Sequence, residues 1–493
     1  MRVAFVASEG APFSRSGGLG EVTGALSAAL HAPDAVQAPL ESALALPLHR
    51  ESWRAAALAG IRLRPAGVRS EAWLGGVRYE FTIYEAESPG RPVYLFDAPR
   101  LFDRDGIYHD ANYRSWADNA ERFAAFTKAA VAALPDLMGG PIDVLHAHDW
   151  QTALAPAFLR MRGGDPRYEG TRTVLTIHNL AHQGVFDKRM MDSLGLPWEW
   201  FHVGGLEFHD RLSFLKGGMT MSDIVTTVSP SYAREICDSA HGVGLDGVLR
   251  ALGGRLRGLL NGIDGDAWDS RTDPFLPAHF DADDLSGKTA CRDALLEELG
   301  LHPADASTPV VGVIGRLAWQ KGVDLIAAIG DELVAAGCRV VLLGSGEPGL
   351  ERQLSALAAR HPGRVAARVA FDLPLSHRVE AGSDLFLMPS RFEPCGLNQM
   401  YSMAYGTIPV VHGTGGLRDT VIDPMHAGEL EPTGFSFDHA DADGLRWATR
   451  RAIDTFRHDR ALWSRMQQAG MRRDWTWQAA AEPYRALYRE ISG

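Results

Sequence analysis

Short apolar runs alternate with amphipathic stretches along this chain. Residues 3–7 form a continuous apolar run that stops at Ser8-Glu9 and a glycine-rich loop. That pattern marks a strand buried on both faces, followed by a turn. Comparable runs at 79–83, 92–96, 142–145, 173–177 and 224–228 predict further strands, and the Ala-rich stretch 118–134 between them has helical spacing. Alternation of this kind predicts a parallel sheet with right-handed crossovers. The pattern then restarts. Strands are expected at 310–314, 339–343, 365–371, 385–388 and 409–412, helices at 322–336 and 349–359, and a last helix at 477–491. The fold class is therefore α/β in two halves, with the seam in or after the loop-rich string LNGIDGDAWDS at 260–270. The segment HAPDAVQAPLESALALPLHRESW at 31–53 reads as a degraded second strand, 34–36 at best, and predicts a shortened first sheet.

Size and composition bound this picture. At 493 residues the chain exceeds the ~250–300 at which single cores stop growing. Apolar residues at 46% and charged residues at 22% exclude a disordered chain, a collagen-like repeat or a coiled coil as the whole answer. The formal net charge of −12 excludes nucleic acid held by phosphate neutralisation, while leaving room for a local basic pocket. The four cysteines, Cys237, Cys291, Cys338 and Cys395, show no C-x-x-C spacing and suit a reducing compartment. The first apolar run is too short for a signal peptide, and no stretch approaches the ~18–20 apolar residues of a membrane span. The expected location is the cytoplasm, with no membrane partner.

Candidate chemistry follows the strands, because ligands of open α/β sheets bind beyond the carboxyl ends. After 310–314 comes GRLAWQKG, which sets the forked donor Arg316 five residues before the point charge Lys321, a pair suited to a diphosphate. After 385–388 comes PSRFEPCGL, with Glu393 as an acceptor for sugar or ribose hydroxyls and backbone N–H groups of Gly396 and Leu397 for phosphate. Two strings echo each other: SGGLGE at 16–21 and TGGLRD at 414–419. Paired glycines before a helix let backbone donors approach an anion, so each half is expected to offer one such loop to a shared cleft. HAHDW at 146–150 and the His178/His182 spacing lack a third metal ligand and the zincin glutamate, so no metal site is expected. GSGEPG at 344–349 matches a dinucleotide fingerprint but follows the second strand of its half, and Gly287-Lys288-Thr289 imitates a P-loop with Ala at 282. The D-x-D strings at 103/105, 281/283 and 441/443 fall in polar loops.

Taken together, the strings SEGAPFSRSGGLGEV, DRDGIYHD, DNAERF, HAHDWQT, TIHNLAHQG, TVSPSYAREI, LNGID, GRLAWQKG, MPSRFEPCGLNQMYSMAYGTIPVV and TGGLRDTV run through most of the chain. In that order they resemble the bacterial glycogen synthase and plant starch synthase family. The resemblance implies a GT-B fold, two Rossmann-like domains with parallel sheets facing across a deep cleft. It places the N-terminal domain at 1–262, the donor domain at 263–475 and a helix at 476–493 that packs back on the first. The implied activity is retaining transfer of glucose from ADP-glucose to the non-reducing end of an α-1,4-glucan, with no other cofactor and no metal.

The resemblance also implies site residues. Glu393, Asp118 and one of His146 and His148 fall on the catalytic motifs. Arg15, Gly17, Gly18, Arg316, Lys321, Cys395, Gly396, Leu397 and Asn261 fall on donor-binding motifs. Arg15 stands where the family usually has Lys, and His182 where it often has Tyr. Position 401 is Tyr, so the E-x7-E pattern of many related transferases is absent. Alternatives to this reading are a related transferase using UDP-glucose or a small acceptor, and a weakly active glucan-binding homologue.

Overall fold

The computed structural model describes residues 1–31, 40–87, 90–112 and 114–493. Contacts divide the chain into an N-terminal unit, residues 1–228, 233–259 and 480–493, and a C-terminal unit, residues 229–232 and 260–479. The divisions expected at 262 and 475 thus fall at 259 and 479, and the short stretch 229–232 groups with the second unit. Among the described residues no helix is long and apolar enough to cross a membrane.

In the N-terminal unit the strands are β1 Arg2–Val6, β2 Glu41–Pro47, β3 Leu63–Leu74, β4 Val77–Ala86, β5 Val93–Asp97, β6 Val144–His148, β7 Arg172–Ile177, β8 Val185–Asp187, β9 Glu207–Phe208, β10 Arg211–Ser213, β11 Ile224–Thr227 and β12 Leu256–Gly258. Nine of them form one sheet in the order β12-β11-β7-β6-β1-β2-β5-β4-β3. Within it, β5-β2-β1-β6-β7-β11 are parallel and follow the doubly wound order 3-2-1-4-5-6. The topological switch point therefore lies between β1 and β6. Apart from Arg2, the central strands β1 and β6 are buried along their length, as a sheet covered on both faces requires.

Two sequence expectations fail here for physical reasons. The first sheet is not shortened. Residues 34–36 lie outside the described residues, but ESALALP forms β2, fully buried after Glu41 and paired with β1 and β5. Alanine packs well in a covered parallel strand yet carries little β propensity, so the run did not read as a strand. Nor is the sheet purely parallel. β3 and β4 join antiparallel through Gly75-Gly76, both at positive φ, and β4 pairs antiparallel with β5. A two-residue turn with both φ values positive can only make a hairpin. β8, β9 and β10 form a small antiparallel sheet, closed by a second such turn at His209-Asp210.

The C-terminal unit contains β13 Val310–Ile314, β14 Arg339–Gly344, β15 Val365–Val369, β16 Leu385–Met388, β17 Ile408–His412 and β18 Phe435–Phe437. Their order is β15-β14-β13-β16-β17-β18, all parallel, which is again 3-2-1-4-5-6. Its switch point lies between β13 and β16. The apolar core beneath it runs from Val311, Val340 and Leu385 to Ile326 and Leu357 of the flanking helices, and on to Phe456 and Trp463.

Candidate functional site

In the C-terminal unit the loops that leave β13 and β16 at the switch point are laced together. Gly322 closes GRLAWQKG at φ 67°, and a Cβ there would sit 2.1 Å from the Pro389 carbonyl oxygen. Only glycine permits both the left-handed turn and that approach. The Gln320 carbonyl accepts from the Arg391 N–H at 2.8 Å, and Asn398 Nδ2 donates to the Ile314 carbonyl at 2.9 Å. This lacing brings Lys321 Nζ to 2.5 Å from Glu393 Oε2, which also accepts from Ser390 Oγ at 3.1 Å. Glu393 is almost buried, whereas Lys321 keeps about a third of its side chain open. Beside them the backbone N–H groups of Gly396 and Leu397 have no protein acceptor among the described residues. Arg316 is exposed on the same loop and touches Gln320 Oε1 at 3.3 Å.

Asn261 and Cys395 belong to the same cluster. The Asn261 N–H points to the Cys395 sulfur, and burial pushes that thiol up to about 12, so it stays protonated. Asn261 Oδ1 is buried without a partner, so it has an acceptor to offer. Phe371 stands outside the strand that the sequence reading gave it. The sequence reading placed it inside a strand at 365–371, but β15 ends at Val369 and the Phe371 ring is 81% exposed beyond its carboxyl end.

The string TGGLRD does not present donors to an anion. A Cβ on Gly415 would lie 1.9 Å from the Glu393 carbonyl oxygen, and one on Gly416 would lie 2.1 Å from that of Cys395. The Gly416 N–H donates to the carbonyls of Glu393 and Pro394. Ser229 Oγ donates to the same Pro394 carbonyl at 2.7 Å, while the Ser231 N–H and hydroxyl both bond Asp419 at 2.7 Å. These glycines let a short helix press against the Glu393 loop and hold it. The dinucleotide look-alike GSGEPG acts similarly. A Cβ on Gly344 would lie 1.9 Å from the Gly315 carbonyl oxygen, and Glu347 accepts from the Trp319 N–H at 2.9 Å. Lys288 of the P-loop imitation is buried and donates to Ala381, Tyr405 and Thr407. A cavity of about 410 Å³ in this unit, lined by Trp268, Arg271 and Trp475 among others, takes in none of the expected donor residues.

In the N-terminal unit the loop after β1 is the open counterpart. Arg15, Ser16, Gly17 and Gly18 are exposed, and a Cβ on either Gly17 or Gly18 would meet nothing within 4 Å. The buried Glu9 holds this loop by accepting from the Ser16 N–H at 2.5 Å and the Ser16 hydroxyl at 2.9 Å. Glu9 in turn accepts from Tyr108 Oη at 2.6 Å. Tyr108 is set by the DNAERF helix, where Asn119 donates to the Tyr108 carbonyl and the buried Arg122 to that of Ile107. Glu9 and Tyr108 are thus supports that the sequence reading did not single out. Asp118 itself is engaged by Arg104 in a two-pronged ion pair at 2.8 and 3.0 Å.

The two histidines after β6 separate clearly. His146 is fully buried, with Nδ1 on Tyr488 Oη at 2.7 Å and Nε2 on Thr176 Oγ1 at 2.6 Å. Both nitrogens are spent in the core, so the expectation of a catalytic His146 is corrected to a structural one. His148 spends Nδ1 on His178 at 3.0 Å and leaves Nε2 buried without a partner. Burial lowers His146 and His178 to about 3 and His148 well below its ordinary value. Next to it Asp149 sits at φ 55° and accepts from the His178 N–H at 2.7 Å, and burial lifts its carboxyl to about 7. Strained backbone and shifted titratable groups cluster at functional sites, and Asp149 combines the two. Among the described residues no three of His, Cys, Asp and Glu cluster to hold a metal ion.

Comparisons with known proteins bear on this geometry. Residues 2–251 match a starch synthase catalytic domain and residues 301–471 a glycosyl transferases group 1 domain. The chain is 48% identical to a glycogen synthase of Anaeromyxobacter dehalogenans over the whole of both proteins. It is 45% identical to one of Alkalilimnicola ehrlichii, over all of this chain and 99% of that protein. The catalytic domain of starch synthase IV from Arabidopsis thaliana, solved with ADP and acarbose bound, superposes with a TM-score of 0.88 at 33% identity, covering 99% of each chain. A sucrose-phosphate synthase of Thermosynechococcus elongatus shares the fold alone, with a TM-score of 0.60 at 17% identity.

Proposed function

The chain belongs to the glycogen and starch synthase family of glucosyltransferases, and from that premise we propose that it moves glucose from ADP-glucose to the non-reducing end of an α-1,4-glucan. The observation that carries this reading is the Lys321–Glu393 pair at the switch point of the C-terminal unit. Lys321 and Arg316 take the diphosphate, with the Gly396 and Leu397 N–H groups turned to the same anion. Glu393 accepts from hydroxyls of the transferred glucose, and Phe371 offers its ring to the base. ADP as the leaving nucleotide is supported by the starch synthase IV structure, which holds it.

In the reaction the bond from glucose C1 to the β-phosphate oxygen breaks as the acceptor O4 bonds to C1 on the same face. The acceptor proton passes to the departing phosphate oxygen, so configuration is retained and ADP leaves. Guanidinium and ammonium groups supply the positive charge that the leaving diphosphate needs, and no metal is invoked. Within the N-terminal unit the exposed Arg15-Gly17-Gly18 loop suits a phosphate anion, and His148 with Asp149 suits a sugar hydroxyl. The four free cysteines support a cytoplasmic location. Incorporation of labelled glucose into glycogen from ADP-glucose and from UDP-glucose, with and without EDTA, tests the assignment. Faster incorporation from UDP-glucose overturns the donor, and loss with EDTA overturns the metal-free chemistry.

A further inference from the structure

Gln399 follows Glu393 on the helix Asn398–Ala404, and its side chain is fully buried. Its Nε2 donates to the Cys395 carbonyl at 3.2 Å, to that of Gly396 at 3.0 Å and to Thr420 Oγ1 at 3.2 Å. The neighbours fix which end of the amide faces them. Thr420 spends its proton on the Gly416 carbonyl at 2.6 Å, so towards Gln399 it can only accept. Three acceptors therefore meet the hydrogens of one NH2 group, and an amide oxygen in their midst would be repelled. The other end, Oε1, is buried without a partner among the described residues. A Cβ on Gly396, which sits at φ 75°, would lie 2.5 Å from that oxygen. Any larger residue there would displace the amide as well as strain the turn.

A trans peptide is planar, so its C=O and N–H point in opposite directions. The Cys395 carbonyl shares a peptide with the Gly396 N–H, and the Gly396 carbonyl shares one with the Leu397 N–H. Gln399 thus draws two consecutive carbonyls to one buried point and turns the two N–H groups the other way. Those N–H groups have no protein acceptor among the described residues. The arrangement leaves Oε1 unpaired in the interior, a cost that an apolar side chain of the same length would avoid. What the amide adds over such a side chain is the orientation of the two peptides. Thr420 closes the short helix Gly415–Thr420, so the string that presses on the Glu393 loop also seats this amide.

We propose that Gln399 is a positioning residue for transfer, which aims the Gly396 and Leu397 N–H groups at the β-phosphate of the departing nucleotide without touching substrate itself. This rests on the donor reading above. It is tested with the full chain by transfer kinetics and by binding of ADP and of AMP, which lacks the β-phosphate. Gln399→Glu keeps the size and sets an oxygen against the two carbonyls. Its kcat should fall about a hundredfold near pH 8, the loss that follows removal of an oxyanion donor. The introduced carboxyl is buried among acceptors, so it takes up a proton as pH falls and then donates to one carbonyl. Its deficit relative to the parent chain should shrink about tenfold between pH 8 and about pH 6. The nearby Glu393, Cys395 and Asp419 are common to both chains, so the ratio reports the introduced group. Gln399→Met has no proton to offer, and its deficit should not depend on pH. In both variants ADP should bind about tenfold more weakly and AMP as before. Parental kinetics in Gln399→Met overturn the assignment, as does an equal loss of ADP and AMP or a Gln399→Glu deficit that ignores pH. Where Gln399→Glu does not fold, the ADP and AMP comparison in Gln399→Met decides alone. A parent chain that binds neither nucleotide overturns the donor reading, and the assignment with it.

Discussion

The strings SGGLGE and TGGLRD differ in two of the five positions beyond their opening hydroxyl residue, yet their glycines meet opposite surroundings. Gly17 and Gly18 face open space on a loop hung from Glu9, whereas Gly415 and Gly416 are pressed onto the carbonyls of Glu393 and Cys395. Paired glycines license a close approach of backbone to something. In the first string that space is open, and we propose a ligand for it; in the second it is filled by the chain's own loop. A glycine pair therefore reports what the backbone is allowed to do, and only the neighbours show for what.

The largest expected break in this comparison is Gly416→Ala. The added Cβ would lie 2.1 Å from the Cys395 carbonyl oxygen and must push the Glu393 loop aside. Glucose transfer should fall about a hundredfold, since a displacement of ~1 Å at a reacting group costs that much. Gly17→Ala and Gly18→Ala should leave the thermal midpoint within about 2 °C, because no overpacking arises. A Gly416→Ala chain with parental kinetics would remove the distinction. Next comes Lys321→Ala, which takes the cation from Glu393 and the diphosphate together. Transfer should drop at least about tenfold, as hydrogen bonds to charged groups are worth ~1.5–3 kcal/mol. Unchanged kinetics would move the diphosphate elsewhere.

Protonation should sharpen the contrast between the units. His49, His146 and His178 are buried, and burial lowers each to about 3. Groups with depressed folded values lend stability that is present above about 6.5 and lost as pH falls toward 3. Asp149 has the opposite sign. Raised to about 7, it lends stability below about 4 that is lost as pH rises through 7. The thermal midpoint of the chain should fall on acidification from pH 6.5 to 4, and Asp149→Asn should steepen the decline between pH 7 and 5, because it removes a group that gains stability there. The smallest effect belongs to Arg15→Lys. It exchanges a fork for a point charge on an exposed loop, and the KM for the donor should change only about two- to threefold.

Much of this was legible in the residues. The strand runs at 310–314 and 385–388 are observed at those bounds, and the doubly wound order places Arg316, Lys321 and Glu393 on adjacent loops, as the strand-end argument required. What escaped depended on partners distant in sequence. His146 and His148 alternate along one strand, and nothing local says that one meets Tyr488 and the other keeps a nitrogen unpaired. Glu9 looked like the end of a strand because Tyr108, its partner, is 99 residues away. β2 was lost to alanine, and β3 to the Pro65 and Gly67 that punctuate it.

The bond from Tyr488 to His146 spans 342 residues, and residues 480–493 pack within the N-terminal unit. During synthesis the strands of that unit emerge first, yet its central histidine has no Nδ1 partner until the last helix has been made. Domains usually mature in the order in which they leave the ribosome. In this protein the unit that starts first must finish last, so a chain interrupted anywhere before that helix carries an unsealed core however well its earlier strands have paired.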